Sequence, residues 1–392
     1  MVYLDNNATT RLDDAVLQAM LPFLKDEYGN ASSTQHRMGR KANEAIQKAR
    51  IQIAQSLSAS DPSEIFFTSG ATEAINWALK GVAERYTSLG NHIITSQTEH
   101  PAVLQTCAQL QKRGFEITYL PVGRDGLINL EDLKSSIAEK TILVCLMAAN
   151  NETGVINPIA DVANICQERN VLFLCDATQY IGKTDTVNLQ NIPIDLLCVS
   201  AHKFHGPKGI GALYIRRKRQ PIQLETMIAG GQQEKGFRGG TYSVHNIVGM
   251  GEAIAHSAET DWRSIANKRD YLEQELAEKL KHVAINGEQH DRLCNTSSIT
   301  IKHVLSSELM SQIPDIAISS GSACATGTRD PSHVLLAMGL SPDDAKCTIR
   351  ISLSKYTTDG EIEQTIEAIV AAVHKIRSNS PTWMLFEKGL LD

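Results

Sequence analysis

"VSAHKFHGPKGIGALYI", residues 199 to 215, joins two apolar strand patterns through a short loop that carries two lysines. Lys203 follows the first strand directly, whereas Lys208 stands among glycine and proline and is interpreted as a loop or solvent-facing residue. A lysine held in an apolar setting can lose its proton by desolvation, and a neutral amine can form an imine. The position of Lys203 therefore predicts a reactive amine. "GPKGIG" is not interpreted as a phosphate loop, because it precedes a strand rather than a helix.

Short apolar runs and helical patterns alternate on either side of this stretch. Seven runs are predicted as strands, at residues 64–68, 92–96, 116–121, 141–147, 171–176, 195–200 and 211–216. Most are separated by amphipathic patterns such as "PAVLQTCAQLQKRG". This alternation predicts an α/β fold with a mostly parallel seven-stranded sheet covered on both faces. Ligands of such sheets bind beyond the carboxyl ends of the strands, which is where the unusual residues cluster.

Composition restricts the class of protein. The 392 residues are 42% hydrophobic and carry a formal net charge of −6. No stretch approaches the length of a membrane span, and the first residues lack a secretory signal, so we expect a cytoplasmic protein. The negative charge argues against direct nucleic-acid binding through overall electrostatics.

The pattern changes near residue 256. A long charged helix is predicted over 261–282, and 360–377 places its apolar residues on one helical face. We interpret this part as a smaller α+β domain. The predicted division is a large domain at 12–258 and a small domain formed by 1–11 and 259–392.

Three features at predicted strand ends combine into one cofactor signature. A helix begins near Ala71 and Thr72, Asp176 ends a buried strand, and Lys203 ends another. Taken singly, an ordinary helix cap or ion pair explains the first two equally well. Together they provide a phosphate cup, a carboxylate for a ring nitrogen and an imine-forming lysine, which are the parts that pyridoxal phosphate requires. His100, just past a third strand, could stack on the ring.

The sequence resembles the cysteine desulfurases of the NifS/IscS-like group, which are fold-type I, class V aminotransferase-like pyridoxal-phosphate enzymes. The resemblance covers nearly the whole chain. It rests on motifs in this order: "YLDNNATT", "FTSGATE", "TEHPAV", "ANNETG", "DATQ", "AHKFHGPKGIG", "GGTYSVHNIVGMGEA", "SSGSAC" and "IRISLSKYTTDGEIE".

The resemblance implies roles around the cofactor ring. Lys203 would bond to the cofactor aldehyde and later move the α-proton of the substrate. Asp176 would pair with the ring nitrogen, and Gln179 with the ring hydroxyl. His100 would stack on the ring and help to move protons.

The resemblance also implies a phosphate site and a substrate site. The phosphate would be held by Ala71, Thr72, Ser200 and His202, with Thr241 supplied by the second subunit of a homodimer. Asn151, which also borders the cofactor, and Arg350 would hold the carboxylate of L-cysteine, for which a guanidinium is a suitable partner.

Cys324 is the predicted nucleophile. The eight cysteines show no metal-binding spacing, and several lie inside apolar strands where a thiol acts as a small hydrophobe. Cys324 instead stands in "AISSGSACATGTRD", among small residues that allow a loop to move. Alone it would be interpreted as an unreactive loop cysteine. The resemblance implies that it attacks the substrate sulfur, so that alanine leaves and a persulfide passes to an acceptor protein.

Several alternatives remain open from the sequence. The acceptor could be an iron–sulfur scaffold, a tRNA-thiolation protein or a DNA-phosphorothioation system. The chain could also be another enzyme of this fold, such as a selenocysteine lyase or an aminotransferase. A third alternative is a catalytically weak partner-binding protein that keeps the cofactor for structure.

Overall fold

The computed structural model of this chain describes residues 1–184, 187–217, 221–320 and 330–390. The strands are β1 Val2–Tyr3, β2 Ile65–Thr68, β3 His92–Ser96, β4 Glu116–Leu120, β5 Thr141–Met147, β6 Leu172–Asp176, β7 Leu196–Ser200, β8 Gly211–Ile215, β9 Val283–Ile285, β10 Thr296–Ile301, β11 Ile316–Ala317 and β12 Thr348–Ser352. The helices are α1 Asp14–Lys25, α2 Arg37–Ser56, α3 Ala71–Arg85, α4 Pro101–Gln111, α5 Leu130–Ser136, α6 Ile159–Glu168, α7 Val244–Ser257, α8 Trp262–Lys279, α9 Ser306–Gln312, α10 His333–Ala337, α11 Pro342–Lys346, α12 Asp359–Ser378 and α13 Pro381–Glu387.

The predicted seven-stranded sheet is confirmed. Its strand order is β2-β8-β7-β6-β5-β3-β4, and β3 to β7 pair in parallel. Only β8 runs against its neighbours, because the loop of residues 201–210 is too short for a parallel crossover and makes a hairpin instead. Each predicted strand agrees with the observed one to within one residue at either end.

Both faces of this sheet are buried, as a parallel sheet requires. Alternate strand residues face opposite sides, so that Phe173 packs with α1, α2 and α7, whereas Leu174 packs with α3 and α4. Trp77 of α3 is the largest fully buried side chain, and it lies in the second of these layers. Close packing on both faces limits movement of the sheet, so the strand ends hold the side chains of a site in fixed positions.

A separate core lies around the antiparallel sheet β12-β10-β9. It joins Val2 and Leu4 at the start of the chain to apolar residues of α8 and α12. The short strand β1 pairs in parallel with β11, and this pairing brings the first residues beside the C-terminal part. The domain bounds at 12–258 and 259–392 stay a prediction. In the described ranges, no helix combines the length and apolar character that crossing a bilayer demands.

Candidate active site

A cavity of about 610 Å³ opens at the carboxyl ends of the parallel strands. Ten of the twelve predicted site residues line it: Ala71, Thr72, His100, Asn151, Asp176, Gln179, Ser200, His202, Lys203 and Arg350. Thr241 is exposed and lines a separate cleft of about 180 Å³ with Ser69 and Arg238. Cys324, the predicted nucleophile, lies outside the described residues.

Lys203 is the last residue of a single 3₁₀ turn that follows β7 directly. Its Nζ donates to the carbonyl oxygens of Asn7 and Ala8, both at 2.7 Å. The amine therefore lies against backbone carbonyls of the N-terminal "DNNATT" segment, rather than in the apolar setting that the strand pattern predicted. Lys208, interpreted from sequence as a loop residue, is exposed and lies at the edge of the same cavity.

Asp176 is the last residue of β6, and Gln179 comes three residues later. Asp176 is 5% exposed, and its Oδ1 accepts a hydrogen bond from the Thr178 amide at 3.0 Å. The Gln179 Nε2 donates to the Asn7 carbonyl at 2.9 Å, while its Oε1 accepts from Lys183. A buried carboxylate beside an amide that is itself held in place suits a ligand with a cationic ring nitrogen and a neighbouring oxygen.

The start of α3 is arranged as an anion cup. Gly70 precedes the helix and offers no side chain to cap it, so the first N–H groups have no side-chain cap where Ala71 and Thr72 line the cavity. Glu73 does not cap them, because its carboxylate accepts from the Ser69 amide and pairs with Arg238. A helix start of this kind favours a phosphate.

His202 and His100 border the cavity as neutral rings at neutral pH. Burial lowers the pKa of His202 to about 4, and the nearby Lys203 acts in the same direction. Burial also lowers the pKa of His100, and Asp176 opposes this effect. The His100 Nδ1 accepts from the Ala102 amide at 3.1 Å, so that the ring proton of the neutral form is on Nε2.

Arg350 supplies the guanidinium of the site from the middle of β12. It is 3% exposed, and it donates to Asp5 Oδ1 at 2.7 Å and to the Asn151 carbonyl at 3.0 Å. Its Nε is buried and has no hydrogen-bond partner in the part of the chain that the structure describes. The Thr178 Oγ1, also in the cavity wall, is buried and unpartnered in the same ranges. Both residues line the cavity, and the guanidinium is a suitable partner for a ligand carboxylate.

Sequence reasoning missed four polar residues that shape this site: Asp5, Asn7, Glu99 and Lys183. The first two belong to the "YLDNNATT" motif, which supports the family resemblance but does not by itself indicate a role for either residue. Burial raises the pKa of the fully buried Glu99 to about 8, and its Oε1 accepts from the Met147 amide at 2.9 Å. Nothing local in "TEHPAV" or "DATQYIGK" predicts that Glu99 and Lys183 point inward.

Comparison with known proteins defines the class. The family described as aminotransferase class-V matches residues 2–365, and the chain belongs to that family. It is 46% identical to cysteine desulfurase IscS of Histophilus somni strain 2336 over 394 aligned residues, which cover 99% of this chain and 96% of that protein.

Solved structures agree with this family. A NifS-like protein superposes with a TM-score of 0.88 at 40% identity, covering 95% of this chain and 99% of the other. The protein described as SspA in complex with cysteine superposes with a TM-score of 0.81 at 36% identity, covering 91% and 100%. This chain is thus a cysteine desulfurase of the NifS/IscS-like group, as the sequence motifs predicted, and the proteins of this group are pyridoxal-phosphate enzymes. These comparisons favour a desulfurase over an aminotransferase or a catalytically weak binding protein.

The residues of the cavity fit pyridoxal phosphate. The volume suits a small cofactor with an amino acid beside it. The open helix start, the buried Asp176 and the Lys203 amine each face the same space. Arg350 lines the same space and provides a cation for a carboxylate.

Proposed function

We propose that this desulfurase holds pyridoxal phosphate through Lys203 and transfers the sulfur of L-cysteine to Cys324. The observation that carries the proposal is the single cavity shared by Lys203, Asp176 and Arg350. When bound, pyridoxal phosphate supplies an electron sink that labilises bonds at the α- and β-carbons of the amino acid.

The chain's own residues would bind and orient both molecules. Asp176 holds the proton at the ring nitrogen, and Gln179 donates to the ring oxygen. Ala71, Thr72, Ser200 and His202 hold the phosphate. The helix start of α3 provides N–H donors and a favourable dipole for the phosphate charge.

The substrate would be fixed by its carboxylate. Arg350 provides a cationic guanidinium, and Asn151 lies beside it in the cavity wall. The Lys203 amine then takes the α-proton and returns it, with His100 stacked on the ring as a second group able to move protons. The carbonyl oxygens of Asn7 and Ala8 keep this amine near its point of action.

Sulfur transfer would occur at Cys324. Its thiolate attacks the substrate sulfur, an S–S bond forms, and the C–S bond of the substrate breaks. The carbon skeleton keeps that electron pair, gains a proton and leaves as L-alanine. L-cysteine and one thiol thus become L-alanine and one persulfide, with no external oxidant or reductant. The persulfide then passes to an acceptor protein of iron–sulfur assembly, tRNA thiolation or DNA phosphorothioation.

Product analysis tests this scheme. With L-cysteine and a thiol reductant, the wild type is expected to yield sulfide and alanine in equal amounts, and Cys324→Ala neither. Cys347→Ala is the matched control, since Cys347 is a buried thiol of the C-terminal part, away from the cavity. Lys203→Ala is expected to lose the borohydride-trapped cofactor. Full activity in Cys324→Ala, or a trapped label on another residue, would refute the scheme.

We further propose a cytoplasmic homodimer in which Thr241 completes the phosphate site of the partner subunit. Support comes from the position of Thr241, which is exposed and outside the 610 Å³ cavity of its own chain. Mixing Lys203→Ala with Thr241→Ala subunits is the test. Each mixed dimer would contain one intact site, so activity should exceed that of either variant alone, whereas no gain on mixing would contradict the shared site.

A further inference from the structure

Lys183 is a buried lysine that the scheme above does not use. It is 4% exposed and follows Gln179 by four residues in the turns after β6. Its Nζ donates to Asn7 Oδ1 at 3.0 Å and to Gln179 Oε1. A buried amine is costly unless its donors are satisfied, so its place beside the predicted ring contact calls for an explanation.

Lys183 and the Asn7 carbonyl together hold the Gln179 amide in one orientation. The Lys183 Nζ donates to the Gln179 oxygen, so the amide nitrogen points away from the lysine. That nitrogen uses one hydrogen on the Asn7 carbonyl at 2.9 Å. Its second hydrogen remains for a ligand in the cavity that Gln179 lines. Without Lys183, the oxygen would be a buried acceptor with no partner, and only the bond to the Asn7 carbonyl would hold the amide.

The effect of Lys183 passes through Gln179 rather than through Asn7. Asn7 is held by other contacts, since its Nδ2 donates to Thr296 Oγ1 at 2.8 Å and its amide donates to Ser352 Oγ at 2.9 Å. The Gln179 side chain makes only two hydrogen bonds within the described ranges, and one of them is to Lys183. Loss of Lys183 therefore leaves Asn7 fixed and removes one of the two hydrogen bonds that hold Gln179.

We propose that Lys183 is a positioning residue that keeps the free N–H of Gln179 available to the ring oxygen of the cofactor. The inference rests on the proposed function, in which Gln179 contacts pyridoxal phosphate. Its expected signature is in the binding and colour of the cofactor, because the ring oxygen takes part in the electronic state of the bound form.

A double-mutant cycle on the reconstituted full chain tests this inference. Lys183→Met is expected to weaken pyridoxal-phosphate binding by about tenfold, the size of one lost hydrogen bond, and to shift the absorption maximum of the bound cofactor. In a Gln179→Leu background, Lys183→Met should add little. Lys268→Met is the matched control, because Lys268 donates to the Thr357 carbonyl at 2.7 Å, outside the cavity. Urea unfolding of each cofactor-free variant verifies folding.

The outcomes are distinct. Wild-type affinity and colour in Lys183→Met, or full additivity of the two substitutions, would overturn the positioning role. A wild-type chain that takes up no cofactor would instead refute the proposed function. If Lys183→Met does not fold, Gln179→Glu replaces it, since it keeps an oxygen for Lys183 but removes the free N–H. It should bind as weakly as Gln179→Leu, and wild-type affinity would overturn the proposal.

Discussion

Arg350 and Asp5 are joined across 345 residues of sequence by a hydrogen bond of 2.7 Å between the guanidinium and the carboxylate. The Arg350 side chain is 3% exposed and that of Asp5 is 21% exposed. In the substrate-free protein this pairing compensates the buried charge of Arg350, since an unpaired buried charge would be costly. Asp5 thereby ties the first segment of the chain to the predicted substrate site.

The first prediction concerns that guanidinium. Arg350→Lys should raise the KM for L-cysteine by about tenfold and change kcat less, because lysine cannot offer the planar pair of donors to a carboxylate. Steady-state kinetics with alanine as the measured product provide the test. Arg377→Lys is the control, as Arg377 is also buried but donates to the Lys281 and Lys302 carbonyls instead. An unchanged KM in Arg350→Lys would mean that the substrate carboxylate binds elsewhere.

The second prediction concerns a buried ion pair beneath the phosphate cup. Glu234 accepts from Arg50 at 2.8 Å and from the Phe67 amide at 3.0 Å, so it anchors its loop to β2. Glu234→Gln should lower the free energy of unfolding by about 3 kcal/mol, since it leaves the buried Arg50 without its counter-charge.

Urea unfolding measures this loss. Glu225→Gln removes a half-exposed partner of Arg85 at 3.9 Å and should cost no more than about 0.5 kcal/mol. Equal losses in the two variants would show that the buried Arg50–Glu234 pair adds no more to the free energy of unfolding than the exposed pair does.

The third prediction is a pH dependence that originates at His202. Its pKa is about 4 in the folded chain against 6.5 for the free side chain, because of burial and the nearby Lys203 and Lys208. Between these values the unfolded chain binds more protons, so stability is complete above pH 6.5 and falls as the pH drops toward 4.

Urea unfolding of the cofactor-free protein at pH 7.5 and pH 5 detects this loss. His202→Asn should lose less stability on acidification than the wild type, and the exposed His374→Asn should behave as the wild type. A His202→Asn variant that is as acid-sensitive as the wild type would place the titrating group elsewhere.

The fourth prediction concerns thiol reactivity. Burial raises the pKa of all seven described cysteines, to about 12 for Cys107 and to about 11 for Cys294, so few thiolates exist at neutral pH. Brief treatment of the native protein with iodoacetamide should therefore alkylate Cys324 alone, and peptide mass mapping identifies the site. The unfolded chain is the control, in which all eight cysteines should react. Rapid alkylation of Cys294 in the native protein would contradict this prediction.

Much of the fold could be predicted from the sequence, because the patterns that indicate strands and helices depend on residues that are close together in the chain. Short continuous apolar runs and helical spacing predicted the seven strands, α4 and the start of α3 closely. Parallel strands gather their carboxyl ends at one edge, so Asp176 and Lys203 could be placed in one cavity without coordinates.

Only the tertiary structure decided how those residues are held. Asp5 and Asn7 come from the far end of the chain, yet they contact Arg350, Gln179 and Lys203. Lys183 lies in an ordinary-looking turn, and its burial depends on elements distant in sequence. Hydrogen bonds between remote segments leave no periodic trace in either segment, because each partner is selected by a three-dimensional neighbour rather than by its place in a helix or strand.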